Sequence, residues 1–468
     1  MNGHEIKHAD RLLKVLVFAL IFSVMNGTMF NVALPMIGKE FELLPSQVSW
    51  VMTSYMVLYA IGSVIFGKLA DRYSLKDLLT IGLIIFAFGS VVGMFAVDYW
   101  MVVAGRILQA AGASVMPATA MIIPVRYFAP EKRGRALGTT AMGLALGSAL
   151  GPIVAGMISN FGSWRILFLF SMISLATLPF FRKYLNDSGG QKSSFDLIGG
   201  ILLGGAIAML LLTITQGSLL LLAGALILFV LFFIRIKSSK NPFIEPALFA
   251  NRSYSIGLAI AFFATSMNFG LSFMTPQFLS AVNGLTPGSI GFVLFPAALC
   301  AAMLGRRGGR IADERGNGFL VMLAGSSMLL CFLLLSSFVG ASPYVIAIIL
   351  ISGNIGLTFM QIAMSNTISR TLSKTQIGVG MGLFSMMNFI SGAISMSVIG
   401  KFLDQNSTVT PLNPIVSNSA ASIYSNILLV MSLVVALLLL VYNLQFGMKR
   451  IAKQPTAAVS GVKEKGQS

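Results

Sequence analysis

The sequence predicts an all-α membrane protein of fourteen transmembrane helices, built as two six-helix pseudo-repeats with a two-helix insert. Three observations predict it. Apolar runs of spanning length recur along all 468 residues, basic residues cluster in alternate connecting segments, and two motifs recur at nearly one offset. Only 10% of the residues are charged and 56% are hydrophobic, with a mean hydropathy of +0.86. Soluble domains carry about 25% charged residues, so lipid must be the solvent for most of this chain. A soluble enzyme, a disordered scaffold and a secreted disulfide domain are excluded.

The spans are expected near 13–34, 48–66, 77–96, 100–123, 136–158, 165–181, 197–215, 218–236, 255–279, 288–305, 318–339, 343–366, 378–400 and 422–446. The first ends in Asn31–Pro35 without a small-residue cleavage motif, so it reads as a retained span rather than a signal peptide. The fourth carries Arg106, the only ionisable residue expected inside the bilayer, and the fifth is glycine-rich. Only Gln216-Gly217-Ser218 separates the seventh from the eighth, which demands a tight turn. Beyond the fourteenth lies a short basic tail.

Charge placement tests the count. With both termini cytoplasmic, 28 of the 32 lysines and arginines fall in cytoplasmic segments, and only Lys39, Arg165 and Lys401 fall outside. That bias obeys the positive-inside rule, and adding or losing one helix would invert every later loop. The net charge of +17 is therefore topological and does not point to nucleic acid. Cys300 and Cys331 lie in apolar runs, and His4 and His8 lie in the N-terminal tail. No disulfide framework, metal site or cofactor is expected.

Two loops share the pattern Gly, basic, aliphatic, Ala, Asp. Gly67-Lys68-Leu69-Ala70-Asp71-Arg72 follows the second span, and Gly309-Arg310-Ile311-Ala312-Asp313 follows the tenth, at an offset of 242. Gly134, Gly138 and Gly156 correspond to Gly378, Gly382 and Gly400 at an offset of 244. Spans 1–6 are then repeated as 9–14, and spans 7 and 8 are an insert. The expected units are 1–190, the insert 191–240, 241–446, and a tail from 447 to 468. Two facing six-helix halves are the geometry of an alternating-access carrier with its site near the midplane.

Three motifs carry mechanism. In Gly67–Lys76, Gly67 permits close approach of a neighbour, Asp71 can pair with an arginine or a helix N-terminus, and Arg72 flanks it, forming a latch repeated at Asp313. Arg106 with Gln109 places a permanent charge inside a span, which is costly and points to function. Gly147, Gly151, Pro152 and Gly156 put small residues every four positions beside a bend, suiting a tight and leak-proof helix contact.

These residues resemble the major facilitator superfamily. GKLADRYSLK is similar to its signature between spans two and three, with Ser74 where glycine is usual and Leu75 where arginine is common. Arg106 and Gln109 echo its fourth-helix motif, and Gly151-Pro152 with Ala155-Gly156 resembles the element associated with antiporters. Fourteen spans, Phe195–Gly199 and Asn241–Phe249 resemble the fourteen-helix drug:proton antiporters, the Gram-positive tetracycline exporters among them. Those exporters carry acidic residues inside helices one, five and thirteen, where Gly27, Ser148 and Gly392 stand here. None of the 15 acidic residues of this chain falls deep in a span.

The resemblance implies a central cavity lined by spans 1, 2, 4, 5, 9, 10, 12 and 13. Candidate lining residues are Met25, Asn26, Phe30, Tyr55, Tyr59, Met116, Met267, Asn268, Gln277, Gln361, Met386 and Asn388. Methionine and aromatic walls adapt to many apolar shapes. Amides without a buried carboxylate suit a neutral, zwitterionic or lipophilic substrate. The expected function is a plasma-membrane, proton-driven exporter of lipophilic antibiotics or toxic compounds, active as a monomer and not an enzyme. The alternatives are a carrier of an endogenous metabolite or siderophore, and a non-transporting membrane sensor.

Overall fold

The computed structural model describes residues 3–70, 73–128, 130–185, 196–239, 242–373, 376–405, 410–416 and 418–447. Among these residues all regular structure is helical. Fourteen helices are long and apolar enough to cross a membrane. They are α1 (His8–Glu40), α2 (Pro45–Leu69), α3 (Leu75–Met94), α4 (Tyr99–Pro124), α5 (Arg135–Ser159), α6 (Ile166–Tyr184) and α7 (Leu197–Gln216). The remainder are α8 (Leu219–Ser238), α9 (Arg252–Ala281), α10 (Pro287–Gly305), α11 (Arg307–Phe338), α12 (Pro343–Ser369), α13 (Val379–Leu403) and α14 (Ala420–Phe446). An even number of crossings returns both termini to one end of the bundle, the termini end. The α1–α2 connection marks the opposite, loop-1 end.

Polar caps start several of these helices where the chain re-enters lipid. Ser74 accepts from the Asp77 amide, Asp98 from Met101, Asn251 from Tyr254 and Thr286 from Ser289. Each cap is worth about 1 kcal/mol. The tight α7–α8 turn is made by Gly217 at φ +70°, a conformation glycine adopts without a Cβ clash.

Two elements differ from the sequence expectation. The sixth span is not one α-helix, because it tightens to a 3-10 turn over Met172–Thr177 between Ile166–Ser171 and Leu178–Tyr184. Hydroxyls of Ser174 and Thr177 donate to carbonyls three residues back, and Pro179 lacks an amide hydrogen, so the regular ladder is interrupted there. The segment expected as a loop after the tenth span is helical. The helix runs from Pro287 to Phe338 and turns only at Gly316, whose φ of 85° and ψ of 159° suit glycine alone.

The repeat is visible in the packing. A Cβ on Gly156 of α5 would lie 3.1 Å from the Pro287 carbonyl oxygen and 3.1 Å from the Gly291 Cα at the start of α10. A Cβ on Gly400 of α13 would lie 3.0 Å from the Pro45 carbonyl oxygen and 2.9 Å from the Ser46 Cα at the start of α2. Pro45 and Pro287 are themselves 242 residues apart, the loop-motif offset. Thus α5 meets α10 as α13 meets α2, and both meetings lie at the loop-1 end. At the termini end, Gly138 and Gly382 have open space where a side chain would be.

The insert lies at the margin. Its helix α8 buries the smallest share of its apolar window, 17%, so lipid covers most of that helix. Within the insert, Arg235 of α8 pairs with Asp196 at the start of α7 at 2.9 Å, and Phe243 of the second half packs on Gly199 and Gly200. The loop-1 end of α7 touches both halves. Thr215 accepts from Trp50 Nε1 of α2 at 3.3 Å and, through its carbonyl, from Lys401 Nζ of α13 at 3.1 Å.

Candidate functional site

Arg106 is fully buried on α4. Its Nη1 donates to Asn26 Oδ1 of α1 at 2.8 Å and to Gln109 Oε1, one turn along α4, at 2.9 Å. Its Nε donates to the Val51 carbonyl of α2 at 3.1 Å, and Nη2 contacts the Met52 sulfur at 3.9 Å. The guanidinium lies between the Phe30 and Tyr55 rings, 4.2 and 4.0 Å from their centroids. The network continues outward. Asn26 Nδ2 donates to Ser171 Oγ at 2.6 Å, and Gln109 Nε2 donates to Ser90 Oγ at 2.8 Å.

Moving an ion into a dry interior costs several kcal/mol even after relaxation. Hydrogen bonds to a charged group return about 1.5–3 kcal/mol each, and each ring face about 0.5–2 kcal/mol. Three oxygens and two rings therefore hold a cation without a carboxylate. Among the described residues no ion pair reaches Arg106. It fixes the relative positions of α1, α2 and α4, and through Ser90 and Ser171 those of α3 and α6. Its uncompensated charge disfavours cations nearby.

A different polar cluster sits between α9 and α12. Thr265, Asn268 and Gln361 line a small recess of about 10 Å³ with Leu357, Met360 and Met364. The Thr265 hydroxyl donates to Asn388 Oδ1 of α13 at 3.1 Å. Asn388 is buried, Asn268 half-buried and Gln361 exposed although it lies within a span.

The remaining sequence candidates divide by place. Tyr59 stacks on Tyr55 and meets the Phe389 edge at 4.8 Å, a contact between halves near the middle of α2 and α13. Met116 lines a second recess with Ser23, Phe86 and Ser174, inside the first half. Met25 is buried on α1 with its carbonyl facing Gly151. Gln277 is buried with its Nε2 unpaired. It lies about 14 Å along α9 from Asn268 at 1.5 Å per residue, so it is not part of the recess. Met267 is half-buried and Met386 buried. Gly147 and Gly151 pack on α1, where a Cβ at Gly147 would sit 2.5 Å from the Ile21 carbonyl oxygen. Pro152 and Gly156 face α10 instead, the Pro152 carbonyl lying 2.6 Å from a Cβ built on Gly291. The stripe thus serves one contact within a half and one between halves.

Asp71 and Arg72 lie outside the described residues. Gly67 is half-buried with open space beside its Cα. The repeat counterpart Asp313 is exposed in the first turns of α11, before the chain turns at Gly316. Sequence reasoning missed Ser90, Ser171 and Thr265, because a lone hydroxyl in a span is common and gives no spacing signal. It also missed Asp404, whose Oδ1 accepts from the Ser46 amide at 2.9 Å beside the Gly400 contact. The three positions that are acidic in the tetracycline exporters have a physical account. The Phe269 ring fills the space beside Gly392, Ser148 is exposed, and a Cβ on Gly27 would rest against the Tyr55 ring.

The family description Major Facilitator Superfamily matches residues 16–396. The chain is similar to a riboflavin transporter, RibZ, of Clostridioides difficile (strain 630), at 26% identity over 85% of this chain and 89% of that one. It is also similar to a methylenomycin A resistance protein of Bacillus subtilis (strain 168), at 25% identity over 85% and 88%. Among solved structures the nucleoside transporter NupG superposes with a TM-score of 0.67 over 93% of this chain and 99% of that one. At 11% identity that match shows the fold alone.

Proposed function

Because the chain belongs to the major facilitator superfamily, and so is a multi-pass membrane transporter of small molecules rather than an enzyme, we propose that it is a secondary exporter. In this reading protons moving inward drive removal of a neutral, lipophilic antibiotic or toxic compound across the plasma membrane. Both termini are cytoplasmic, because the basic segments then lie inside. The working unit is a monomer, whose halves 1–190 and 241–446 rock about the central site. The insert 191–240 is a separate two-helix unit, and the tail 447–468 is cytoplasmic.

One observation carries this reading. The two halves meet through repeat-related glycines at the loop-1 end, while the equivalent glycines at the termini end face open space. That is the form of a carrier open toward the basic end, where an exporter collects its cargo. Asp71, with Arg72, Gly67 and the second copy at Asp313, would latch that end when it closes. Arg106 keeps the first half rigid and repels cations, which favours uncharged cargo. The resistance protein among the relatives supports an antibiotic as substrate. The riboflavin transporter supports a second reading, carriage of a neutral endogenous metabolite.

Everted vesicles test both. Substrate accumulation with an imposed proton gradient, abolished by an uncoupler and by Asp71→Asn, is the expected result. Equal flux with and without the gradient would make the protein a facilitator.

A further inference from the structure

The recess between α9 and α12 has a hydrogen-bonding pattern that its chemistry dictates. A hydroxyl has one hydrogen to give, and Thr265 gives its hydrogen to Asn388 Oδ1. What Thr265 has left is acceptor capacity. Beside it, Asn268 and Gln361 carry side-chain amides that bond no other described residue, each bringing N–H donors and a carbonyl. Asn388 is only 8% exposed, so the group that fixes the Thr265 hydrogen is itself held in the interior. The rest of the wall is Ala261, Ala264, Leu357 and the thioethers of Met360 and Met364, with no charged side chain.

The contrast with the first half sharpens the point. There Asn26, Gln109, Ser90 and Ser171 are buried and bonded to one another or to Arg106. They have little left to offer a ligand. In the second half two amides and a committed hydroxyl are open to one.

We propose that this recess recognises the uncharged polar edge of a planar molecule carrying an N–H beside a C=O, as in a cis-lactam, imide or cyclic urea. The N–H would donate to Thr265 Oγ1, and the carbonyl would accept from the amide of Asn268 or Gln361. The recess admits only that edge, because Met360 and Met364 are 3% and 1% exposed, and an apolar ring body would stay outside it. This deepens the transporter reading and rests on it for the site's role, but the binding claim can fail on its own.

The test uses three probes with one ring system. These are 6(5H)-phenanthridinone, its N-methyl derivative, which lacks the donor, and the permanently cationic 5-methylphenanthridinium. Binding is read by probe fluorescence with the full chain in lipid nanodiscs. The lactam should bind about tenfold or more tightly than the N-methyl lactam, the loss of one hydrogen bond, and the cation more weakly still. Thr265→Val should erase the difference between the two neutral probes, and Thr265→Ser should restore it. A merely structural Thr265 would weaken both neutral probes together. Equal affinity for all three probes, or no binding of any, overturns the proposal. Lactam-selective binding without gradient-driven flux in vesicles would instead remove the proton-driven reading and leave this recognition intact.

Discussion

The first half bonds Asn26 and Gln109 to Arg106, whereas in the second half Asn268 and Gln361, beside Thr265, bond no other described residue. Both halves share one helical plan, so the difference arises from side chains rather than topology. In the first half, a permanent charge recruits the Val51 carbonyl and the Asn26 and Gln109 amide oxygens, because a desolvated cation without acceptors is costly. In the second half no ion sits in the recess, and the amides face space instead of one another. A repeat can thus give one half the rigidity and the other the recognition.

The largest expected effect breaks the first half. Arg106→Leu would leave Asn26 Oδ1, Gln109 Oε1 and the Val51 carbonyl without their donor, each costing about 1–3 kcal/mol. A fall in melting temperature of about 10 °C or more, measured in nanodiscs, is expected, with transport lost. Arg106→Lys should fall in between, because one ammonium cannot hold two side-chain oxygens and a backbone carbonyl in the guanidinium's geometry. Thr265→Val in the second half should shift the melting temperature by far less. If the two variants were equally destabilised, the division into a rigid and a recognising half would be wrong.

Much of this architecture was legible in the residues. Fourteen apolar runs and the placement of basic residues fixed the crossings, because lipid tolerates only self-satisfied helices. Arg106 and Gln109, one turn apart, were readable as partners. Asn26 and Ser171 were not, since their meeting depends on α1 packing against α6, 145 residues away in sequence. The glycine correspondence at an offset of 244 could have been coincidence among 47 glycines. It gained meaning when Gly156 and Gly400 each proved to lie against the other half, while a Cβ at Gly138 or Gly382 would meet no described atom within 4 Å. The helical run through Asp313 escaped notice because its glycines and charges read as a loop, and only Gly316 turns the chain.

A second comparison sets the two ends of those glycine pairs against each other. Gly156→Val should wedge α5 from α10, whose backbone is only 3.1 Å from the added Cβ. Ser46 is 1% exposed at the other contact between the halves. In a Ser46→Cys chain with Cys300 and Cys331 replaced by serine, an impermeant maleimide should then label position 46 several-fold faster. Gly382→Val, placed in open space, should leave labelling unchanged in this state. Protection of position 46 despite Gly156→Val would show that the α5–α10 and α13–α2 contacts open separately.

The smallest effect belongs to the insert. Lys401 reaches the Thr215 carbonyl, but its side chain is 46% exposed and its pairing with Asp404 is loose at 3.9 Å. Solvent-screened contacts of this kind contribute about 0–1 kcal/mol, and the Trp50 bond to Thr215 is long at 3.3 Å. Lys401→Met should therefore raise labelling at position 46 by less than about fivefold, and Trp50→Phe by no more. The two should not simply add, because both bonds end on Thr215. The glycine contacts involve backbone against backbone, which no rotamer change can relieve, whereas a lysine or an indole can swing away. An effect of Lys401→Met as large as that of Gly156→Val would mean that the insert, by bridging the halves, holds the loop-1 end shut.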